Sequence, residues 1–364
     1  MNILHVVDMI SQKRGGGSAR VPWYLAKEQV RLGHNVTIYS STDRASMDDT
    51  PPGVELRLFK CFLNFMGGLR ITPTMLIANF RQFDIIHLHN YRTVPNLIAA
   101  TRGVPFVLQA HGSCLPIPAG KHIGLWKQAN DLIWRNVLIK HASRLVACND
   151  YEIEQYIAEG AQREQCVLTD LGIDTGEYEN VPVKHPSPFK TILYLGKFHE
   201  LKAPDMLVRA FSHLHIPDIR LVMAGWDDGF EVETQRLVHE LGLDDRVDFL
   251  GFIDGRDKLQ AYVNADVYVL PSRYEAFGLC TLEACACGTP VIMTENCAIS
   301  DRLPIYCGQV VPFNEYDLAG ALIAALHGGE HRDNRAARIQ WAHGFGWDRI
   351  AGEMVELYEQ VLVR

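Results

Sequence analysis

The sequence predicts an α/β protein of two domains, each built on a parallel sheet with helices on both faces. Two observations carry that expectation. Short apolar runs alternate with helical patterns along most of the chain, and the rhythm pauses once, around residues 174–190, before restarting. The length, 364 residues, also exceeds what one core fills, since cores stop growing near roughly 250–300 residues.

In the first half, strands are expected at 3–7, 35–40, 85–89, 104–110 and 144–147, with helical patterns at 19–32 and 125–139. Gly176, Pro182, Pro186 and Pro188 then interrupt regular structure and place a linker at 175–190. The second half supplies strands at 191–196, 219–224, 247–251, 265–271 and 290–293. Helices fall at 203–213, 231–241, 256–264 and 282–287. The expected domains are therefore 1–174 and 191–346. A closing helix within 347–364 could pack back on the N-terminal domain, with Trp347 and Leu357 as packing groups.

A hydrophobic content of 48% with 21% charged residues describes a folded globular chain. A formal net charge of -8 argues against nonspecific nucleic-acid binding as the main task. No run approaches the roughly 20 apolar residues of a spanning helix. The opening Met-Asn-Ile-Leu-His-Val-Val reads as a strand, not a signal peptide. Nine irregularly spaced cysteines without a CxxC pair suggest reduced thiols and a cytoplasmic location. Cys285 and Cys287 flank one alanine in a helical stretch and read as helix-packing residues.

The densest chemical signal is Glu275-Ala-Phe-Gly-Leu-Cys-Thr-Leu-Glu283, directly after an apolar run ending at Pro271-Ser272. That order reads as strand, loop and helix start, with one carboxylate in the loop and the other in the first turns of the helix. Open α/β sheets hold ligands just outside the carboxyl ends of their strands. Two acids around a glycine-containing, amide-rich loop suit the hydroxyls of a sugar or ribose.

Leu195-Gly196-Lys197-Phe198-His199-Glu200-Leu201-Lys202 follows the first strand of the second domain. Its two lysines can both reach one diphosphate and offset the charge that grows on a departing nucleoside diphosphate. Near the N-terminus, Gly15-Gly16-Gly17-Ser18 precedes a helix. Glycines there permit close backbone approach, and helix N–H groups favour an anion. Ser18 would cap that helix and Pro22 would fall in its first turn. The run matches neither GxGxxG nor GxxxxGK[ST], which disfavours a hydride-transfer enzyme or a P-loop nucleotidase. His111, beside Gly112 at another strand end, can contact a sugar hydroxyl or a developing charge. His87 and His89 alternate on a strand, but no third metal ligand is near them in sequence.

Taken together, these residues resemble the retaining glycosyltransferases of family 4, which have the GT-B fold. The resemblance extends over nearly the whole chain and is strongest over 192–293, with Glu275–Glu283 and Gly288-Thr-Pro-Val-Ile292 as its most specific parts. It implies two Rossmann-like domains whose parallel sheets face across a central cleft, the N-terminal one on the acceptor side. It implies a nucleoside-diphosphate sugar as substrate, with no cofactor and no essential metal. By the same resemblance Glu275 binds donor-sugar hydroxyls and Glu283 the ribose hydroxyls. Backbone amides of Phe277, Gly278 and Leu279 would hold the sugar or diphosphate. Lys197 and Lys202 grip the diphosphate with Gly196 between strand and loop, Gly16 and Gly17 close over it, and His111 contacts the transferred sugar.

Three positions depart from the family pattern. Lys197 stands where arginine is usual, so a bidentate fork becomes a point charge. Ala203 replaces a glycine after Lys202, a change expected to alter loop shape more than chemistry. Leu171 precedes Gly172 where the family commonly has asparagine. The expected reaction moves a hexose or N-acetylhexosamine to a sugar or lipid-linked glycan acceptor in cell-envelope polysaccharide synthesis. A sugar-nucleotide epimerase or a noncatalytic sugar-nucleotide-binding protein are the alternatives, and no nucleic-acid partner is expected. The apolar stretch 60–77, with Lys60 and Arg70, suits peripheral contact with the cytoplasmic face of the inner membrane, or else a buried helix with its loops.

Overall fold

The computed structural model describes all residues except 9, 11–16, 43–45, 66–68, 115–131, 328–333 and 364. The chain divides into two compact units, Met1–Gly172 with Trp347–Arg364, and Ile173–Gly346. Both are open parallel α/β sheets of the GT-B kind. Among the described residues no helix is long and apolar enough to cross a membrane.

Unit 1 is built on β1 (Asn2–Val6), β2 (Asn35–Ser41), β3 (Glu55–Phe59), β6 (Ile85–His89), β7 (Phe106–Gln109), β8 (Arg144–Ala147) and β9 (Cys166–Leu168). Their order is β3-β2-β1-β6-β7-β8-β9, all parallel. Side chains alternate across a strand, so each strand divides its residues between two covers. Leu4, Val6, Ile86, Leu88, Leu108 and Leu145 face a core completed by Ile98 of α2 (Val94–Ala100) and by Ile153 and Tyr156 of α3 (Asp150–Ala158). The opposite face presents His5 and, paired with it in register, His87, followed two residues on by His89. All three are fully buried. That face meets α1 (Gly17–Arg31) and α10 (Trp347–Leu362), whose Tyr24 and Trp347 rings stack 5.7 Å apart.

Three local expectations change. The helix α1 begins at Gly17, so Ser18 is its second residue rather than its cap and Pro22 its sixth. Pro22 therefore removes one backbone hydrogen bond beyond the four N–H groups that any helix start leaves unpaired. The stretch 60–77 is not a helix: β4 (Leu63–Phe65) pairs antiparallel with β5 (Leu69–Ile71), and Pro73–Ile77 forms a 3-10 turn. Strands β3 and β9 lie at the sheet edges, where residues are only partly buried and no continuous apolar run marks them. Of the helical pattern expected at 125–139, residues 125–131 lie outside the described residues, and 132–139 is helical as expected, α over 132–134 and π over Arg135–Ile139.

Unit 2 contains β10 (Lys190–Leu195), β11 (Ile219–Ala224), β12 (Val247–Gly251), β13 (Val267–Leu270), β14 (Val291–Thr294) and β15 (Gly308–Val311). They run parallel in the order β12-β11-β10-β13-β14-β15. Its helices are α4 (Pro204–Ser212), α5 (Glu231–Glu240), α6 (Gly255–Asn264), α7 (Leu279–Ala286), α8 (Glu315–Leu326) and α9 (Arg335–His343). Met206, Leu207 and Phe211 of α4 pack with Ile192, Leu221 and Met223 under the sheet. Burying one such side chain fully is worth about 1.5–3 kcal/mol.

In both sheets the chain builds outward from a central strand and then reverses. The reversal lies between β1 and β6 in unit 1 and between β10 and β13 in unit 2. Connections leave in opposite directions at such a point and open a crevice at the carboxyl ends. One glycine makes the unit 2 crevice possible. Gly225, just after β11, has φ +149°, and a Cβ there would lie 1.7 Å from the Gly196 carbonyl oxygen.

Candidate active site

Strand β10 runs into residues 196–202, and β13 runs into 272–278, so the two loops flank the reversal of unit 2. Lys202 closes the 3-10 turn Glu200–Lys202, and its ammonium forms an ion pair with the Glu275 carboxylate. The Glu275 N–H donates to the Asn296 carbonyl at 3.0 Å, and the Glu275 carbonyl accepts from the Ala298 N–H at 3.1 Å. That double attachment fixes the backbone from which the carboxylate projects. Burial by itself pulls the Lys202 pKa down, but the charge and hydrogen bond of Glu275 outweigh it and the net direction is upward. Lys202 therefore stays charged at neutral pH.

Ala203, where glycine is usual, takes the left-handed conformation itself, with φ 47° and ψ 51°. The residue type has changed while the backbone conformation that favours glycine is kept. Such a conformation costs a non-glycine residue about 1–2 kcal/mol.

Glu283 sits in the second turn of α7 and is 5% exposed. One carboxylate oxygen lies 3.1 Å from Lys258 Nζ, and the other accepts a 3.0 Å hydrogen bond from the Tyr262 hydroxyl. Lys258 and Tyr262 are one turn apart on α6, the spacing that puts two side chains on one helix face. Between the two ion pairs lies Cys280. Burial pushes its thiol up to about 11, and Glu283, Glu275, Lys202 and Lys258 all act on it electrostatically. Both predicted carboxylates and two lysines thus converge on the start of α7.

That helix follows Gly278, which has φ +101°, and no side chain caps it. Its amide dipole is left to favour an anion. Phe277 is buried with its ring edge-on to Phe345, so only its backbone is available to a ligand. Leu279 is the first residue of α7. Lys197 does not join this group. Half exposed, its ammonium lies 3.6 Å from the Asp228 carboxylate. Gly196 supplies the close approach to Gly225 described above. Gly16 lies outside the described residues, and Gly17 opens α1.

His111 belongs to unit 1, at the carboxyl end of β7, and has φ 53°, unusual for a residue with a side chain. The next residue, Gly112, donates its N–H to the buried carboxylate of Glu152, which also accepts from the Cys148 N–H at 2.8 Å. Asn149 caps α3 and accepts the Glu152 N–H at 2.7 Å. The loop carrying His111 is therefore tied to the start of α3.

Beneath His111 runs a line of histidines. His111 Nε2 lies 2.9 Å from His89 Nδ1, His89 Nε2 lies 2.9 Å from His5 Nδ1, and His5 Nε2 lies 2.7 Å from Gln29 Oε1. Burial drives His5 down to about 4 and His111 to about 3, and holds His87 and His89 well below the usual range. All four are neutral at physiological pH. Among the described residues, His5, His87 and His89 are the one group whose ligand atoms approach within 4.8 Å of one another. The 2.9 Å between His5 and His89 is a hydrogen-bond length. Two nitrogens on one tetrahedral zinc would stand roughly 3.3 Å apart.

Sequence reasoning singled out Lys202, Glu275, Glu283 and His111, but not Lys258, Tyr262, Glu152, His5 or Gln29. A helical lysine reads as solvated, and a carboxylate in a first turn reads as a dipole partner. The one available signal was the four-residue spacing of Lys258 and Tyr262.

Two parallel sheets with this strand order, and a charged crevice at the reversal of the second, define the GT-B class of glycosyltransferase. Residues 15–177 match the family model described as Glycosyltransferase Family 4, and 178–340 match Glycosyl transferases group 1. The chain is a family 4 glycosyltransferase that uses a nucleoside-diphosphate sugar. It is similar to a D-inositol 3-phosphate glycosyltransferase of Saccharomonospora viridis, with 28% identity over 385 aligned positions that cover 93% of this chain and 87% of that protein. Its fold is similar to that of Anabaena HepE in complex with UDP and glucose, with a TM-score of 0.77, 18% identity, and coverage of 98% and 99%. WaaG, a glycosyltransferase involved in lipopolysaccharide biosynthesis, has a TM-score of 0.73 at 18% identity, with coverage of 98% and 99%.

Proposed function

We propose that the chain transfers a hexose or N-acetylhexosamine, with retention at the anomeric carbon, from a nucleoside-diphosphate sugar to a sugar or lipid-linked glycan acceptor in envelope polysaccharide synthesis. The Lys202–Glu275 ion pair at the β10–β13 reversal carries the reading. It sets a cation for the leaving diphosphate beside a carboxylate for sugar hydroxyls. Residues 191–346 form the donor domain and 1–174 the acceptor-side domain.

In the reaction the bond from anomeric carbon to phosphate lengthens first. Lys202, helped by Lys197 and the start of α7, stabilises the departing diphosphate. Amides of Phe277, Gly278 and Leu279 and the glycines Gly16, Gly17 and Gly196 hold the donor phosphates and sugar. Glu275 orients the sugar, Glu283 takes ribose hydroxyls, and His111 meets the transferred sugar. The acceptor hydroxyl attacks from the face the diphosphate leaves, and a phosphate oxygen takes its proton. The pairing of Glu275 with Lys202 favours an orienting role over that of a covalent nucleophile, because a paired carboxylate is a weaker nucleophile.

The test is incubation with UDP-, GDP- and ADP-sugars and glycan acceptors, with the product anomer read by NMR. A product with inverted configuration refutes retention. A changed nucleotide sugar formed without acceptor identifies an epimerase, and donor binding without turnover a binding protein. The protein is expected on the cytoplasmic face of the inner membrane. Exposed Phe62, Leu76 and Ile77, with Lys60 over the Phe62 ring at 5.3 Å, support peripheral contact. Sedimentation with anionic vesicles should fall for a Phe62→Ser, Ile77→Glu variant; equal binding of variant and wild type removes this patch.

A further inference from the structure

The line of histidines has a direction, and Gln29 sets it. The Gln29 amide lies 2.7 Å from His5 Nε2 and 3.3 Å from the Tyr358 hydroxyl. Hydrogen bonds between two oxygens cluster near ~2.7–2.8 Å and those from nitrogen to oxygen near ~2.9–3.0 Å. Turning the amide over would put a nitrogen–nitrogen contact at the short distance and an oxygen–oxygen bond at the long one, the reverse of what these distances suit. Gln29 therefore offers its carbonyl to His5 and its N–H to Tyr358. The Tyr358 hydroxyl, accepting there, also lies 2.7 Å from His87 Nδ1.

A carbonyl oxygen only accepts, so His5 carries its proton on Nε2 and accepts at Nδ1. His89 must then donate from Nε2 and accept at Nδ1. His111 must in turn donate from Nε2, which leaves its Nδ1 with a lone pair. We infer that His5, His89 and Gln29 are positioning residues that lock His111 in its Nε2–H tautomer. Nδ1 then acts as a neutral acceptor for a hydroxyl of the transferred sugar, not as a cation for the leaving diphosphate. This rests on the reading of His111 as a group that meets that sugar.

The chain holds a proton pattern and does not conduct. A proton arriving at His111 Nδ1 could pass from ring to ring, but Gln29 has no basic site to receive it. Desolvation of the four imidazoles also opposes a charge anywhere along the line. The strained backbone of His111 and the clamp of Glu152 on Gly112 fix the ring's place, and the hydrogen-bond chain fixes its tautomer.

Ring nitrogen NMR on protein labelled with ¹⁵N-histidine reads the tautomer directly, with signals assigned by a His111→Gln variant. The expected result for the wild type at neutral pH is protonated Nε2 and bare Nδ1 at His5, His89 and His111. A proton on His111 Nδ1 overturns the inference without any variant needing to fold. Gln29→Leu removes the acceptor that starts the chain. Because buried N–H groups without partners are rarer than buried bare acceptors, all three rings should switch to Nδ1–H together. Sugar transfer should fall with them, by roughly the 10- to 100-fold seen when a partner that fixes an imidazole is lost. Folded Gln29→Leu protein with unchanged tautomers and unchanged transfer also overturns the inference. His111→Ala separates the two claims. If it retains full transfer, the reading of His111 as a sugar contact fails and takes the functional inference with it. If it loses transfer while Gln29→Leu does not, only the positioning chain fails.

Discussion

Lowering the pH from neutral to about 5 should unfold unit 1 well before unit 2. The cause is the burial of neutral histidines. An unfolded histidine titrates near ~6.5, whereas burial lowers His5 to about 4 and His111 to about 3. The folded state therefore binds fewer protons than the unfolded state below ~6.5, and stability falls as pH falls. The loss begins at the unfolded value and is complete only below the folded ones. Each unit of pH in that window costs about 1.4 kcal/mol per histidine. By pH 5 His5 and His111 should thus withdraw about 2 kcal/mol each. His87 and His89 shift in the same direction and add to this. A total of several kcal/mol is a large share of the roughly 5–15 kcal/mol that holds a domain folded. The histidines held below the usual range, His5, His34, His87, His89 and His111, all belong to unit 1. Hydrogen exchange by mass spectrometry, corrected for the intrinsic effect of pH, should show protection falling in β1 and β6 while β10 and β11 keep theirs. Unchanged protection in β1 and β6 down to about pH 5 would refute the reasoning, as would equal loss in both sheets.

Other perturbations test the unit 2 site and the His111 loop. Glu275→Ala and Lys202→Ala should each lower sugar transfer by at least ~10²-fold, the scale for removing a group aimed at developing charge, with the melting curve showing a folded protein. Lys258→Ala leaves the buried Glu283 carboxylate without its cation and should destabilise unit 2 by about 3–5 kcal/mol in urea unfolding; a change below ~1 kcal/mol would mean the pair is a surface contact. Gly278→Ala forces a side chain onto φ +101° with Ile299 3.3 Å from the new Cβ, at a cost of about 1–3 kcal/mol, and donor affinity measured by calorimetry should fall with it. Glu152→Ala strips acceptors from the Gly112 and Cys148 N–H groups and should cost about 1–3 kcal/mol, with faster amide exchange across residues 110–113.

Much of the fold was legible because parallel strands buried on both faces leave continuous apolar runs. Strands β6, β8 and β11 fall where those runs do. The edges were read unevenly: β12 was expected where it lies, whereas β3, β9 and β15 were not, β3 burying only part of its surface and β9 spanning three partly exposed residues. A buried helix was one reading of stretch 60–77, yet its described residues form an antiparallel strand pair and a short 3-10 turn. Apolar content sets burial, but period and length decide between helix and strand.

The sequence by itself determined where the chemistry would stand. A strand, a loop and a helix start are local structures, so Glu275, Glu283 and Lys202 could be placed at carboxyl ends from spacing alone. Their partners were a different matter. Lys202 and Glu275 stand 73 residues apart, Lys258 and Glu283 25, and Gln29 and Tyr358 329. These meetings follow from the strand order and from α10 packing beside α1, which no local pattern encodes. The tertiary structure likewise gathered two alternating histidines into a cluster of four rings, because β1 lies beside β6 and β7 follows it in the sheet. Residue type and local period fix which groups are available; only the closure of distant segments into one sheet fixes which of them touch.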